Sequence, residues 1–150
     1  MKVVIAGSRR LPGGQAPRLL IRFLAALPDE AVIMLRKALY SGPNRFELDV
    51  SSLCQMVRLT VDWRVPNPTD ETPGRAATFV RDYAMVESAD LVVLFVTVED
   101  IGVSGTSHLQ DAALQADRPV YVYLVSEEGA VALVGDYDPE HQYAELVPQP

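Results

Sequence analysis

The chain has 150 residues, of which 49% are apolar and 22% charged, a length and composition that predict one globular domain and argue against disorder. Its net charge of −7 is unevenly distributed, because residues 1–64 carry ten basic and five acidic side chains while residues 65–150 carry three and fifteen. An acidic total argues against broad contact with a phosphate backbone, so we expect no extended nucleic-acid partner, although a few arginines suffice to hold one small anion.

The sequence also lacks the marks of membrane and secreted proteins. Its longest apolar runs, 91–98 and 120–125, are far shorter than the roughly 20 residues of a membrane-spanning helix. The run 3–6 is too short for the apolar part of a secretory signal. The single cysteine, Cys54, forms no internal disulfide. We therefore expect a soluble, cytoplasmic protein with no membrane partner.

The first half of the chain alternates apolar runs with helical periodicity. Residues 2–6 form a β-branched, apolar run that ends in Gly7-Ser8, typical of a strand buried on both faces and followed by a turn. Leucines and a phenylalanine at helical spacing predict a first helix over 16–27. The further predicted elements are a strand over 31–35, a helix over 46–56 and a strand over 57–63.

The second half continues this alternation after a stiff loop over 65–74 that contains three prolines. The predicted elements are a helix over 75–88, a strand over 91–96, a helix that begins near Thr106 and a strand over 119–125. Beyond residue 126 the chain either adds a strand over 131–134 or has no regular structure.

This alternation with short connections predicts one Rossmann-like, doubly wound α/β domain over 1–125. Its sheet is expected to be mainly parallel, with about five strands flanked by helices. The extension over 126–150 is expected to pack on this domain or to be partly flexible.

Two loops have residues suited to an anion at the carboxyl ends of the strands, where such sheets bind ligands. Small residues at 102–107 lead into a helix start, where backbone N–H groups and hydroxyls attract phosphates; a simple helix cap is the alternative. After the first strand, Gly7-Ser8-Arg9-Arg10 supplies a turn, a hydroxyl and two guanidiniums. A solvated basic loop is the alternative there.

Stricter motifs are missing from the sequence. There is no GxGxxG and no Walker A lysine motif. His108 and Asp111 are two candidate ligands, too few for a closed metal site, so we expect no metal and no cofactor. Cys54 lies on an apolar stretch and is interpreted as a packing residue. Ser104 and His108 lack a third partner for a catalytic triad.

Five short segments follow one another along the chain: KVVIAGSR at 2–9, RDYAM at 81–85, ADLVVLF at 89–95, SGT at 104–106 and RPV at 118–120. Their order resembles the SLOG superfamily, which joins the DprA-like proteins, the Lonely-guy phosphoribohydrolases and the small YspA-like proteins. The likeness spans residues 1 to about 125 and leaves the tail uncovered.

The YspA-like branch is the most similar in length. It typically has Gly-Ser-Arg after the first strand, a tryptophan before a variable loop, an Arg-Asn pair and a Ser-Gly-Thr segment. Gly7-Ser8-Arg9, Trp63, Arg81 and Ser104-Gly105-Thr106 match, whereas Asp82 replaces the asparagine. The resemblance implies a nucleotide pocket in which Arg81 holds phosphate or ribose; an arginine paired with Asp82 or Glu87 on the helix surface is the alternative. It also implies a possible homodimer or higher oligomer.

The residue after Gly105-Thr106-Ser107-His108 bears on whether the protein is an enzyme. Lonely-guy enzymes and nucleoside deoxyribosyltransferases carry Gly-Thr-x-x-Glu, whose glutamate works on the N-glycosidic bond. Here Leu109 occupies that position, and a leucine neither accepts a proton nor attacks a carbon. Asp111 lies two residues further, about 200° around the helix. The catalytic residues therefore stay unknown, and we favour a binding protein over an enzyme.

The sequence thus predicts a protein that senses or sequesters a small nucleotide or nucleotide sugar. Such domains are associated in the wider family with nucleotide signalling and phage–host conflict. One alternative is an N-glycosidase, phosphoribohydrolase or deoxyribosyltransferase-like enzyme that uses Asp82, Glu99 or Asp100. Another is an interaction module with an acidic surface. The predicted ligand-binding residues are Gly7, Ser8, Arg9, Arg81, Ser104, Gly105 and Thr106.

Overall fold

The computed structural model describes residues 1–8, 15–69, 71–101 and 105–150. Strands and helices alternate along them, and a short 3-10 turn follows the fourth strand at Val98–Asp100. In chain order the elements are β1 (Lys2–Gly7), α1 (Gln15–Ala26), β2 (Val32–Arg36), α2 (Arg45–Met56), β3 (Thr60–Arg64), α3 (Gly74–Ser88), β4 (Leu91–Thr97), α4 (Gly105–Gln115), β5 (Val120–Val125) and β6 (Val131–Tyr137).

The strands form one sheet in the order β3-β2-β1-β4-β5-β6. The first five strands are parallel, and β6 runs antiparallel to β5. The chain therefore builds one half of the sheet outward from β1 to β3 and then crosses back to place β4 on the other side of β1. This reversal beside β1 is the position at which doubly wound sheets bind their ligands.

Two apolar cores lie on the two faces of the sheet. Alternate residues of β1 serve both, since Val3 and Ile5 belong to one core and Val4 and Ala6 to the other. The first core contains the apolar stripes of α1 and α2, and the second contains those of α3 and α4. Strands buried on both faces explain why the apolar runs of β1, β4 and β5 show no polar alternation.

The predicted α/β fold class is confirmed, and the elements differ from the expected ones in number and in some of their ends. The sheet has six strands where about five were expected, because residues 131–137 pair with β5. The strand expected over 57–63 begins at Thr60, because Val57 and Arg58 close α2 and Arg58 takes a left-handed φ of 62°. α4 begins at Gly105, one residue before the predicted start.

No helix in the described part of the chain combines the length and apolarity that crossing a membrane requires.

Candidate functional site

A cleft of about 1640 Å³ runs along the carboxyl ends of the parallel strands. It spans the point between β1 and β4 where the strand order reverses. The loops that follow β2 and β3 form one end of the cleft, and the loops that follow β4 and β5 form the other. Every loop that lines it therefore leaves the same edge of the sheet, which is where ligands of this architecture bind.

The end of β1 lies in this cleft and is held by β4. The backbone N–H of Ser8 donates to the carbonyl of Phe95 at 3.0 Å, and the Ser8 hydroxyl accepts from the N–H of Thr97 at 3.2 Å. Ser8 is 4% exposed. Its hydroxyl thus joins the two strands on either side of the reversal, so its clearest role is to fix the shape of the cleft.

Gly7 packs so closely against Phe46 that no larger residue fits there. A Cβ built on Gly7 would lie 2.7 Å from the ring of Phe46, closer than real carbon contacts allow. Phe46 is in the first turn of α2 and stacks obliquely against Phe95 of β4, with ring centroids 5.7 Å apart. A glycine at position 7 therefore lets the start of α2 approach the sheet beside the cleft.

Arg36 ends β2 and places its guanidinium in the cleft. Its Nη2 donates to the hydroxyl of Thr106 at 3.3 Å, and its Nε lies 3.6 Å from a carboxylate oxygen of Glu47. Nε is buried and has no hydrogen-bond partner among the described residues. Burial lowers the pKa of the Arg36 guanidinium, and the nearby carboxylates of Asp82 and Glu47 oppose that shift.

Glu47 faces Arg36 from the first turn of α2, where it also caps the helix. The N–H of Asn44 donates to Glu47 at 3.0 Å, and the N–H of Glu47 donates to the Asn44 side chain at 2.9 Å. These reciprocal bonds form a capping box. Burial raises the pKa of Glu47, and Arg36 and the Asn44 N–H act in the opposite direction.

Arg81 reaches the cleft from the middle of α3. Its Nε donates to Asp82 at 3.0 Å, and its Nη1 donates to the carbonyl of Lys37 at 3.4 Å. Its side chain is 9% exposed. The pairing with Asp82 agrees with one of the two sequence readings, although the side chain is largely buried and not on the helix surface. That Arg81 holds phosphate or ribose stays a prediction.

Asp82 is shared by Arg81 and a histidine outside the cleft lining. Its second oxygen lies 3.4 Å from Nδ1 of His108, whose ring packs between those of Phe79 and Tyr83 at centroid distances of 4.5 and 5.1 Å. Asp82 is 1% exposed. These contacts make His108 and Asp82 supports of Arg81. Among the described residues, no three histidine, cysteine or carboxylate side chains form a metal-binding group.

The other end of the cleft is acidic. Glu99 and Asp100 follow β4, and Glu127 and Glu128 follow β5. Asp100 accepts a hydrogen bond from the hydroxyl of Thr97 at 3.0 Å. The cleft therefore has two arginines and the carboxylate of Glu47 at its β2 end, and four further carboxylates at its β4 and β5 end. Guanidinium donors for an anion thus lie at one end, and acceptors for hydroxyl or amino donors at the other.

The predicted site residues fall into three groups. Gly7, Ser8, Arg81 and Thr106 all line the cleft, and Thr106 is 2% exposed beneath Arg36. Gly105 begins α4. Arg9 and Ser104 lie outside the described residues.

Sequence reasoning missed Arg36 and Glu47, although each had a local signal. Arg36 is the polar residue that ends the apolar run of β2, and Asn44-x-x-Glu47 is a capping-box pattern before a helix.

Leu109, which follows Gly105-Thr106 where Lonely-guy enzymes carry a glutamate, lies in the second core. It is fully buried among α3, α4 and the sheet. Asp111, two residues along, is exposed, in agreement with its predicted direction away from Leu109. Position 109 is therefore a packing position in this chain.

One solved structure resembles this fold. It is that of DNA processing protein A from Helicobacter pylori, described for its single-stranded DNA binding mode. The match has a TM-score of 0.49 and 17% identity, and covers 81% of this chain but 64% of that one. The likeness concerns the fold alone. No family model matches the chain, and no curated protein does.

This match corrects one expectation. The net charge of −7 led us to expect no extended nucleic-acid partner, whereas the matched protein is described by its binding of single-stranded DNA. That expectation is wrong and is withdrawn. The physical reason is that nucleic acid responds to the charge of one surface rather than to the total, so the net charge of a chain does not decide whether it binds nucleic acid.

Proposed function

We propose that this protein binds a small nucleotide or nucleotide-derived ligand in the cleft, as a sensor or a sequestering protein of the YspA-like kind. The ligand's phosphate lies at the arginine end, near Arg36 and Arg81. Its hydroxyl or amino groups point toward the carboxylates that follow β4 and β5. Such a ligand is an anion at one end and a hydrogen-bond donor at the other, which matches the charges of the cleft.

The observation that carries this proposal is the state of Arg36. A buried guanidinium N–H without a partner costs free energy, and Nε of Arg36 has none among the described residues. Glu47 is too far, at 3.6 Å, to accept a full hydrogen bond. A phosphate in the cleft would bind the guanidinium through charge-assisted bonds, and a shift of the Arg36 side chain toward it would give the buried Nε its acceptor.

The first experiment identifies any ligand that the protein carries. Mass spectrometry of the supernatant from heat-denatured protein detects a retained nucleotide, and thermal shift then ranks a panel of nucleotides and nucleotide sugars. A ligand at 100 times its Kd adds about 2.7 kcal/mol of stability.

Two variants make the thermal-shift result specific to the cleft. Arg81→Ala should abolish most of the ligand-induced shift. Arg22→Ala, which removes an exposed arginine of α1, should preserve it. Equal shifts in the two variants would place the ligand elsewhere, and no shift with any compound would reject the cleft as a nucleotide site.

A second candidate, turnover of the nucleotide, is favoured by the carboxylates within the same cleft. Glu99 and Asp100 line it next to the end of β4, whereas Asp82 is already engaged by Arg81 and His108. An enzyme would release free base or ribose phosphate during incubation, and Glu99→Gln or Asp100→Asn would slow that release. Recovery of intact nucleotide after long incubation would exclude turnover and leave binding as the function.

A further inference from the structure

The loop that follows β2 places an aromatic side chain at the rim of the cleft. Tyr40 is 95% exposed and lines the cleft with its neighbour Leu39, which is 41% exposed. Exposing a whole aromatic ring leaves a large apolar surface in water, and burying that surface against a partner is favourable. The ring is therefore an open stacking surface beside the cleft.

The base of this loop is tied to both sides of the arginine site. The N–H of Lys37 donates to the carbonyl of Arg64 at 3.0 Å, and the carbonyl of Lys37 accepts from Arg81 at 3.4 Å. Arg36 itself immediately precedes Lys37. The start of the loop is therefore bonded to β3 and to α3. It directly follows Arg36, whose Nε has no hydrogen-bond acceptor among the described residues.

The loop then turns sharply before α2. The N–H of Ala38 donates to the carbonyl of Gly42 at 3.2 Å, which closes a turn around residues 39–41. Gly42 has a φ of 77°, a left-handed conformation that glycine adopts without strain. The closed turn holds the backbone of residue 40 at the rim of the cleft that Arg36 and Arg81 also line.

We infer that Tyr40 stacks on a nucleobase whose phosphate lies against Arg36 and Arg81. An aromatic ring at the rim and two guanidiniums at the floor of one cleft recognise the two parts of a nucleotide, the flat base and the anion. The inference rests on the proposed function and assigns a residue to its base. The same chemistry serves a free mononucleotide and one nucleotide of a single strand, since both join a base to a phosphate.

The test measures binding by calorimetry to wild type, Tyr40→Ala and Tyr40→Phe. The probes are the adenosine, guanosine, cytidine and uridine 5′-monophosphates, ribose 5-phosphate, and a ten-nucleotide oligodeoxyadenylate. Stacking contributes about 1–3 kcal/mol per base, so Tyr40→Ala should weaken nucleotide binding about 5- to 160-fold. Tyr40→Phe should keep the affinity, and ribose 5-phosphate should bind all three proteins equally.

Met56→Ala is the matched control, since it removes a 74% exposed side chain at the end of α2, outside the cleft lining. It should bind every probe as wild type does. Equal nucleotide affinity in Tyr40→Ala and wild type would overturn the inference and leave the proposed function intact. Binding of none of the nucleotides or the oligonucleotide by wild type would overturn both. A preference for the monophosphates or for the oligonucleotide identifies which source carries the stacked base.

Discussion

Leu109→Glu introduces the glutamate of the Gly-Thr-x-x-Glu segment of Lonely-guy enzymes and tests whether position 109 is a core position. Leu109 is fully buried among apolar neighbours, so a carboxyl group placed there is expected to be neutral in the folded protein. In the unfolded chain its pKa is about 4.3, and protonating it at pH 7 costs about 1.36 kcal/mol for each pH unit above that value. The cost is about 3.7 kcal/mol at pH 7 and about 1 kcal/mol at pH 5.

Leu109→Gln is the control for this prediction, because it loses the same apolar contacts but cannot ionise. Urea unfolding of both variants at pH 5, 6 and 7 measures the difference between them. The sign follows from the raised folded-state pKa, since the glutamate variant loses stability as the pH rises above about 4.3. We expect its deficit relative to Leu109→Gln to grow by about 2.7 kcal/mol between pH 5 and pH 7.

A flat difference across that pH range would refute the reasoning, because it would mean that the carboxylate ionises in the folded protein and therefore reaches water or a cation. Release of adenine from AMP by Leu109→Glu at pH 5, where the variant should remain folded, would likewise place position 109 in the cleft. We expect neither result.

Two further predictions concern the frame around the cleft, and a third concerns the turn after β6. Gly7→Ala should lose about 1–3 kcal/mol of stability by urea unfolding, because its Cβ would lie 2.7 Å from Phe46. If this clash is the cause, the double variant Gly7→Ala with Phe46→Leu should lose less stability than Gly7→Ala alone. Additive losses from the two substitutions would contradict it. Asn44→Ala should lower stability by about 1 kcal/mol through its capping box with Glu47, and an unchanged Tm would show that the cap contributes nothing. Burial alone would raise the pKa of Asp138, but hydrogen bonds from Tyr121, Tyr143 and Gln142 hold that pKa below its ordinary value. The contribution of the Asp138 carboxylate to the free energy of unfolding is therefore present above pH ~4 and is lost as the pH falls through the lowered pKa. Asp138→Asn should therefore cost about 2 kcal/mol at pH 7 and progressively less in acid, and a cost that does not change with pH would refute the role of the charge.

The sequence predicted the strands well where burial on both faces dictates composition. The apolar runs of β1, β4 and β5 need no knowledge of their neighbours, because a strand covered on both sides has to be apolar throughout. The start of β3 was missed for a local reason. Val57 and Leu59 suggest strand alternation, but the left-handed Arg58 between them ends α2 instead.

Of the candidate site, only the residues in loops after strands or at helix starts could be predicted from the sequence. Gly7, Ser8 and Thr106 occur in loops after strands or at helix starts, so their place at the carboxyl edge follows from the fold class. Arg36 and Glu47 become partners only when α2 returns to the end of β2, and no spacing in the sequence encodes that meeting.

The antiparallel strand β6 has a practical consequence for work with fragments. β5 reads VYVYLV, a stretch of high β propensity with no charge, and β6 occupies its outer edge. The residues after β6 close over the same region, since the Tyr123 hydroxyl donates to the carbonyl of Pro148 at 2.7 Å and Val147 is 1% exposed. A fragment cut at residue 125 would open an unprotected edge strand to other molecules, the kind of edge that nucleates aggregation. Expression of this domain should therefore extend through residue 148.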